Sequence, residues 1–266
     1  MVVLMPRILH HSTAIFAVVL IGSAVSAAGP PPAQQVTVTY LANEGVMINC
    51  NGQKVLVDAL FRDSVEDYVR HSPEEQQQIE TGKAPFDGVH LALATHYHLD
   101  HWDPGSISRF LRNNPTAVFA STPEATAMLP YELRERFKAL RPKPGSPAQM
   151  SAAGASVQAF RLGHDKAPNL GYRISICGKT FAHLGDADDS DASFRALMEV
   201  GPVDVAMVPF WWFLSPPAAK FLTRGWKPRQ IIAFHLGTKD AAYAEQVHKN
   251  FPQVWVCTKQ GEERKF

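Results

Sequence analysis

Apolar and polar positions along the chain fall into short runs cut by turn residues. Val36 to Tyr40 alternates as a half-buried strand does, and Val46 to Cys50 and Lys54 to Asp58 flank Asn51-Gly52, a strong hairpin signal. Val89 to Thr95 is an aliphatic run short enough for a buried strand, and Ala117 to Ala120, Ser156 to Leu162 and Val203 to Val208 read the same way. Gly171 to Cys177 and Lys179 to His183 form a second hairpin around Gly178, and Ile231 to Phe234 and Val254 to Cys257 supply later strands. Between them the pattern turns helical: Ser106 to Arg112 after Asp103-Pro104-Gly105, a helix opening at Thr122-Pro123-Glu124, Tyr131 to Leu140 up to the breaker Pro142 to Gly145, residues 191–200, and Asp240 to Asn250. Residues 62–83 are polar, with a helix start at Ser72-Pro73-Glu74-Glu75. They read equally as a lid or as a solvated surface helix. Strands alternating with helices predict sheets covered by helices rather than an all-β body.

The first 27 residues depart from this pattern. Arg7, the apolar core Ala14 to Ile21 and the small residues Ala24 to Ala28 predict a secretory signal peptide, and His10 to Thr13 leave the apolar stretch too short to span a membrane. Residues 28–266 are then expected as one domain, exported to the periplasm or beyond, without stable membrane insertion. Loss of Arg7 takes the formal charge from +1 to zero, which gives no electrostatic case for nucleic acid. A small molecule is the expected partner, and the oligomeric state is left open. Cys50, Cys177 and Cys257 are an odd set lying in strand-like segments, read as small buried apolar residues rather than a disulfide framework.

Chemistry concentrates in His96-Tyr97-His98-Leu99-Asp100-His101, where four metal-ligating side chains follow directly on a strand. Pro104-Gly105 already provides a turn, so nothing structural demands three imidazoles there. His164 after Gly163, Asp186 after Gly185, and His235 also stand at strand ends, as a site assembled along one edge of stacked sheets requires. Gly185 would make the tight turn that aims Asp186 inward, ahead of its competitors Asp188 and Asp189. His183 is read as a supporting strand-end residue, while His71 and His248 are expected in solvent. Nitrogen and carboxylate donors without thiolate suit zinc first, with iron or manganese remaining open. Phe210 to Leu214, with Trp211, Trp212 and Phe213, fits equally an apolar substrate wall or packing in the core or a dimer interface.

The run Thr95 to His101 resembles the H-x-H-x-D-H signature of the metallo-β-lactamase-fold hydrolase superfamily, and the later motifs follow in order along the chain. The resemblance implies an α+β fold, a four-layer αβ/βα sandwich of two mixed β-sheets flanked by helices. It also implies two divalent metal ions, one held by His96, His98 and His164, the other by Asp100, His101 and His235, with Asp186 bridging and Asp58 in support. Such a pair would generate a hydroxide nucleophile, with Asp100 orienting it and shuttling its proton. An aspartate at position 186 resembles the lactonase and phosphodiesterase branches, since true metallo-β-lactamases lack it. The implied function is cleavage of an ester, lactone or phosphodiester-type bond. The alternatives are a binding module of the same fold without turnover, or a β-lactamase.

Overall fold

The computed structural model describes residues 35–266 except 66 and 153, so the leader expected over 1–27 lies outside the described residues. Strand alternation decides which face meets which neighbour. In β1 (Val36–Ala42), β2 (Gly45–Cys50) and β3 (Gln53–Val57), residues such as Val38, Ile48, Val55 and Val57 point into a core between two sheets, whereas Leu41, Met47 and Leu56 point outward. The strands β4 (Val89–Leu93), β5 (Val118–Ser121) and β6 (Phe137–Ala139) continue this sheet in parallel. Parallel neighbours need crossovers. Here α1 (Pro73–Thr81), α2 (Pro104–Asn113) and α3 (Pro123–Ala127) supply them, and Ile79, Ile107, Phe110 and Ala125 cover the outward face. Ser72, Asp103 and Thr122 cap these helices, each accepting from a backbone N–H of the first turn ahead of a proline.

The second sheet repeats the plan. The strands β7 (Ala148–Ala152), β8 (Ala155–Leu162), β9 (Asn169–Ile176) and β10 (Lys179–His183) are antiparallel, and β11 (Val205–Pro209), β12 (Gln230–Phe234) and β13 (Trp255–Val256) continue in parallel. The helices α4 (Asp191–Val200), α5 (Trp211–Leu214), α6 (Pro216–Lys220) and α7 (Ala241–Asn250) make the crossovers, with Leu197, Trp212, Ala218 and Val247 packed on its outer face. A last strand, β14 (Glu263–Lys265), returns to pair with β1, giving two seven-stranded sheets among the described residues. This is the four-layer α+β sandwich of two mixed sheets. Among the described residues no helix is long and apolar enough to cross a membrane.

Three expectations need correction. Tyr131 to Leu140 is not a helix: one 3₁₀ stretch covers Tyr131–Arg136, and Phe137–Ala139 then adds a strand beside β5. Leu133, Phe137 and Leu140 have helical spacing, but the open edge of β5 offers backbone partners, and Phe137 and Leu140 enter different apolar layers across it. Cys50 and Cys177 are not separate buried thiols. They form a disulfide across a Cα–Cα distance of 6.5 Å, because the stacked sheets bring the end of β2 against the β9–β10 turn; Cys257 is free and buried. His71 is not solvated either: its ring lies 4.8 Å from that of Phe61, and Nδ1 stands 3.1 Å from Glu75 Oε2.

Candidate metal centre

Every parallel strand ends on the same edge of the sandwich, and the turns there are unusually sharp. Asn43 after β1, Asp58 after β3, Gly185 after β10 and His235 after β12 all take left-handed backbone, with φ of 50°, 48°, 55° and 65°. Such values are uncommon for residues with a Cβ and cluster where a side chain must be aimed. At Gly185 a Cβ would lie 2.4 Å from Asn169 Oδ1 and 2.8 Å from Thr95 Oγ1, so only glycine fits before Asp186.

The expected seven ligands converge. His96, His98, His164 and Asp186 present donor atoms within 4.8 Å of one another, and so do Asp100, His101 and His235. Asp186 joins the two groups: Oδ2 lies 3.7 Å from both His96 Nε2 and His164 Nε2, and Oδ1 lies 3.1 Å from both His101 Nε2 and His235 Nε2. His98 Nδ1 faces His164 Nε2 at 3.2 Å. Four of these buried atoms, His96 Nε2, His101 Nε2, His235 Nε2 and Asp186 Oδ1, have no hydrogen-bond partner. Unpaired buried donors and acceptors are costly. Buried polar atoms left without hydrogen-bond partners around shared centres are what a divalent cation would satisfy, so this donor set fits divalent metal.

Supporting groups fix which nitrogen is offered. Asp58 accepts from Thr95 N at 2.7 Å and Thr95 Oγ1 at 2.8 Å, and its Oδ2 stands 3.1 Å from His101 Nδ1. Thr95 Oγ1 in turn lies 2.9 Å from His96 Nδ1. One carboxylate thus anchors the back of both clusters, leaving each Nε2 free to point inward. His183, buried behind them, places Nε2 3.0 Å from the Glu44 carbonyl, and its Nδ1 accepts from Gly185 N at 3.2 Å.

Charge follows geometry. Burial pushes His96 well below the usual imidazole range, and His101 beside it adds to this. For His101 burial acts the same way, but the carboxylates of Asp186, Asp100 and Asp58 outweigh it and hold it well above. Asp186 is held well below the usual carboxylate range: burial opposes ionisation, yet His101 and His235 overcome it. Asp100 falls to about 2 against the same opposition, through His101 and His235.

Three neighbours were not visible as site residues in the sequence. Asn43 Nδ2 donates to Asp100 Oδ2 at 3.0 Å, and its carbonyl accepts from His235 N at 3.3 Å. Glu44 is fully buried, with neither carboxylate oxygen hydrogen-bonded and Oε2 3.9 Å from His101 Nδ1. Burial, then the charge of Asp186, pushes its carboxyl well above the usual range. Tyr68, from the irregular segment before α1, sets its ring edge-on to His235 at 4.5 Å. Its phenol is raised to about 12 by burial and the nearby Asp100 and Asp186, so it stays protonated at neutral pH. Asn43-Glu44 between two apolar strands reads as an exposed turn, and nothing in the polar run around Tyr68 marks it.

The aromatic run divides. Trp211 is half-buried with its ring 5.0 Å from His235, whereas Trp212 is fully buried against Phe194 and Phe213 packs on Phe251. The substrate-wall expectation for Trp212 and Phe213 is therefore corrected: the short helix α5 turns both into the layer beneath α4 and α7, and only Trp211 faces the cage.

Residues 53–247 match the model of the beta-lactamase superfamily domain. The chain belongs to the beta-lactamase superfamily. Comparison with curated proteins finds no match. Among solved structures this superfamily member is similar to Igni18, a metallo hydrolase from the hyperthermophilic archaeon Ignicoccus hospitalis, at 19% identity over 87% of this chain and 98% of that one, with a TM-score of 0.62. It is similar to the isothiocyanate hydrolase from Delia radicum gut bacteria at 14% identity over 86% and 99% of the two chains, TM-score 0.60. CmlA, a diiron β-hydroxylase from Streptomyces venezuelae, matches at 14% identity over 89% of this chain and 55% of its own, TM-score 0.56. These likenesses show the fold.

Proposed function

We propose that this superfamily member is an exported metal-dependent hydrolase. His96, His98 and His164 would hold one divalent ion and Asp100, His101 and His235 a second, zinc first, with Asp186 shared between them. The observation that carries this reading is Asp186, whose two oxygens face opposite clusters at 3.7 and 3.1 Å. Two such cations would activate a water and polarise the oxygen that gains charge on attack. The chain's own residues do the rest. Asp100, ionised and held by Asn43, is placed to accept a proton and pass it to the leaving group. Tyr68 and Trp211 bracket His235, one offering a phenolic donor and the other an apolar face to a substrate. His98 and His164 are less buried than their partners, which leaves that side open for approach. An ester, lactone or phosphodiester suits this arrangement, each presenting a polarisable oxygen beside an electrophilic centre. The Cys50–Cys177 disulfide and the apolar segment at 14–21 support an oxidising, exported setting.

The test is to purify the mature protein, measure bound metal, and assay lactones, aryl esters, phosphodiesters, isothiocyanates and β-lactams before and after chelation. Turnover that disappears on chelation and returns with zinc supports the reading. Turnover indifferent to chelation refutes it, and metal binding with no turnover across the panel supports a binding module instead.

A further inference from the structure

Outside the cage, the outer face of the second sheet carries a groove of about 970 Å³ between α4 and the loop 143–147, running over β8 and β9. One end reaches Leu162 and Gly163, immediately before His164. The volume lies in the range of small-molecule sites. Its floor is apolar, with Phe160, Leu162, Ala196 and Val200, and its walls are cationic, with Lys143, Arg173 and Arg195 against a single carboxylate, Glu199.

Most of the described arginines outside the groove are paired with a carboxylate: Arg62, Arg70, Arg109, Arg112, Arg134 and Arg229 each lie within ion-pair distance of one. Among the described residues the three in the groove have no such partner. Arg173 shows this most clearly: it stands opposite Gln158 in the sheet, its Nε is buried without a hydrogen bond, and Nη1 reaches only Ser175 Oγ at 3.4 Å. A buried guanidinium N–H left unpaired is unfavourable, and like charges gathered over an apolar floor add to the cost, unless an anion takes up the donors. The arginine fork matches the paired oxygens of a carboxylate or phosphate, and the floor matches an aliphatic or aromatic body.

We propose that this groove binds an amphiphilic anion, its oxyanion head held by the arginines and its apolar body laid over Phe160, Leu162 and Val200. The site is separate from the metal cage and does not depend on what that cage hydrolyses.

Calorimetric titration of the full chain tests it, with decanoate and decyl phosphate as probes and inorganic phosphate and octyl glucoside as controls. One equivalent of decanoate or decyl phosphate is expected to bind saturably, the tighter of the two identifying the head group. Affinity is expected to fall about tenfold in Arg195→Gln, where the exposed side chain makes folding safe, and in Arg173→Gln, checked by circular dichroism. Lys249→Gln on α7 should leave it unchanged. Affinities that survive both arginine substitutions, or the absence of saturable binding by either probe, overturn the proposal. Inorganic phosphate or octyl glucoside binding as tightly as the amphiphilic anions overturns it as well.

Discussion

Asp58→Asn probes the support of the metal cage with little risk to the backbone, because asparagine tolerates the left-handed conformation at φ 48° at least as well as aspartate. The carboxylate takes three contacts, from Thr95 N at 2.7 Å, Thr95 Oγ1 at 2.8 Å and His101 Nδ1 at 3.1 Å. An amide keeps one acceptor oxygen and turns an NH₂ toward either the backbone N–H or the hydroxyl and His101, so at least one donor then meets a donor. Hydrogen bonds to a charged group contribute about 1.5–3 kcal/mol, and removing such partners behind metal ligands weakens metal affinity about 10–100-fold. His96 is tied to the same carboxylate through the Thr95 hydroxyl, so both clusters should weaken. Thr95→Val should weaken mainly the His96 cluster. The assay is chelator competition for zinc on wild type and both variants, with urea midpoints recorded alongside. If Asp58→Asn is folded and binds both equivalents within twofold of wild type, the anchoring argument fails.

Trp212→Ala should lose about 3–5 kcal/mol of stability, since it empties a fully buried site and removes the shorter, at 2.7 Å, of the two indole hydrogen bonds that the Ala187 carbonyl accepts. Trp211→Ala should instead raise KM with a smaller shift in the urea midpoint, and an unchanged KM would remove Trp211 from the substrate wall. The Cys50–Cys177 disulfide closes a separation of 127 residues, so Cys50→Ala with Cys177→Ala should cost up to about 5 kcal/mol by the loop-entropy relation. Thiol titration of the denatured, unreduced chain should find only Cys257, and three free thiols there would refute the pairing. Glu80, bound bidentately by Arg62 and Arg109, has its carboxyl held at about 2 from an ordinary 4.5: burial opposes this, but the two guanidinium groups prevail. Its stabilisation is fully present above pH 4.5 and lost as pH falls towards 2. Discounted for the partly exposed arginines, it amounts to about 2 kcal/mol. The stability gap between wild type and Glu80→Gln, followed by urea denaturation, should close over that window, and a gap constant from pH 6 to 2.5 would refute the assignment.

Much of the cage was legible because its chemistry is local. His96 to His101 compresses four donors into one strand end, and His164, Asp186 and His235 each follow a strand whose apolar pattern is plain. Residues whose role depends on what arrives from elsewhere in the chain were not legible. Glu44 looks like a turn residue until the two sheets close over it, and Tyr68 sits in a polar run that gains meaning only when it crosses His235. The same holds for the disulfide, whose two cysteines belong to different sheets, and for β14, where Glu263-Arg264-Lys265 has no apolar signature because a charged edge strand discourages further pairing. Tyr131 to Leu140 shows the converse: a helical spacing in sequence was overridden by an unfilled sheet edge.

The left-handed turns at Asn43, Asp58, Gly185 and His235 belong to the strand ends themselves rather than to the longer connections beyond them. The stretch carrying Tyr68 and the short helix carrying Trp211 can therefore be exchanged for segments of other lengths and polarities while the ring of donors keeps its aim. Grafting new connections onto this rim, with the strands untouched, is the route by which the scaffold would be retuned to a different bond.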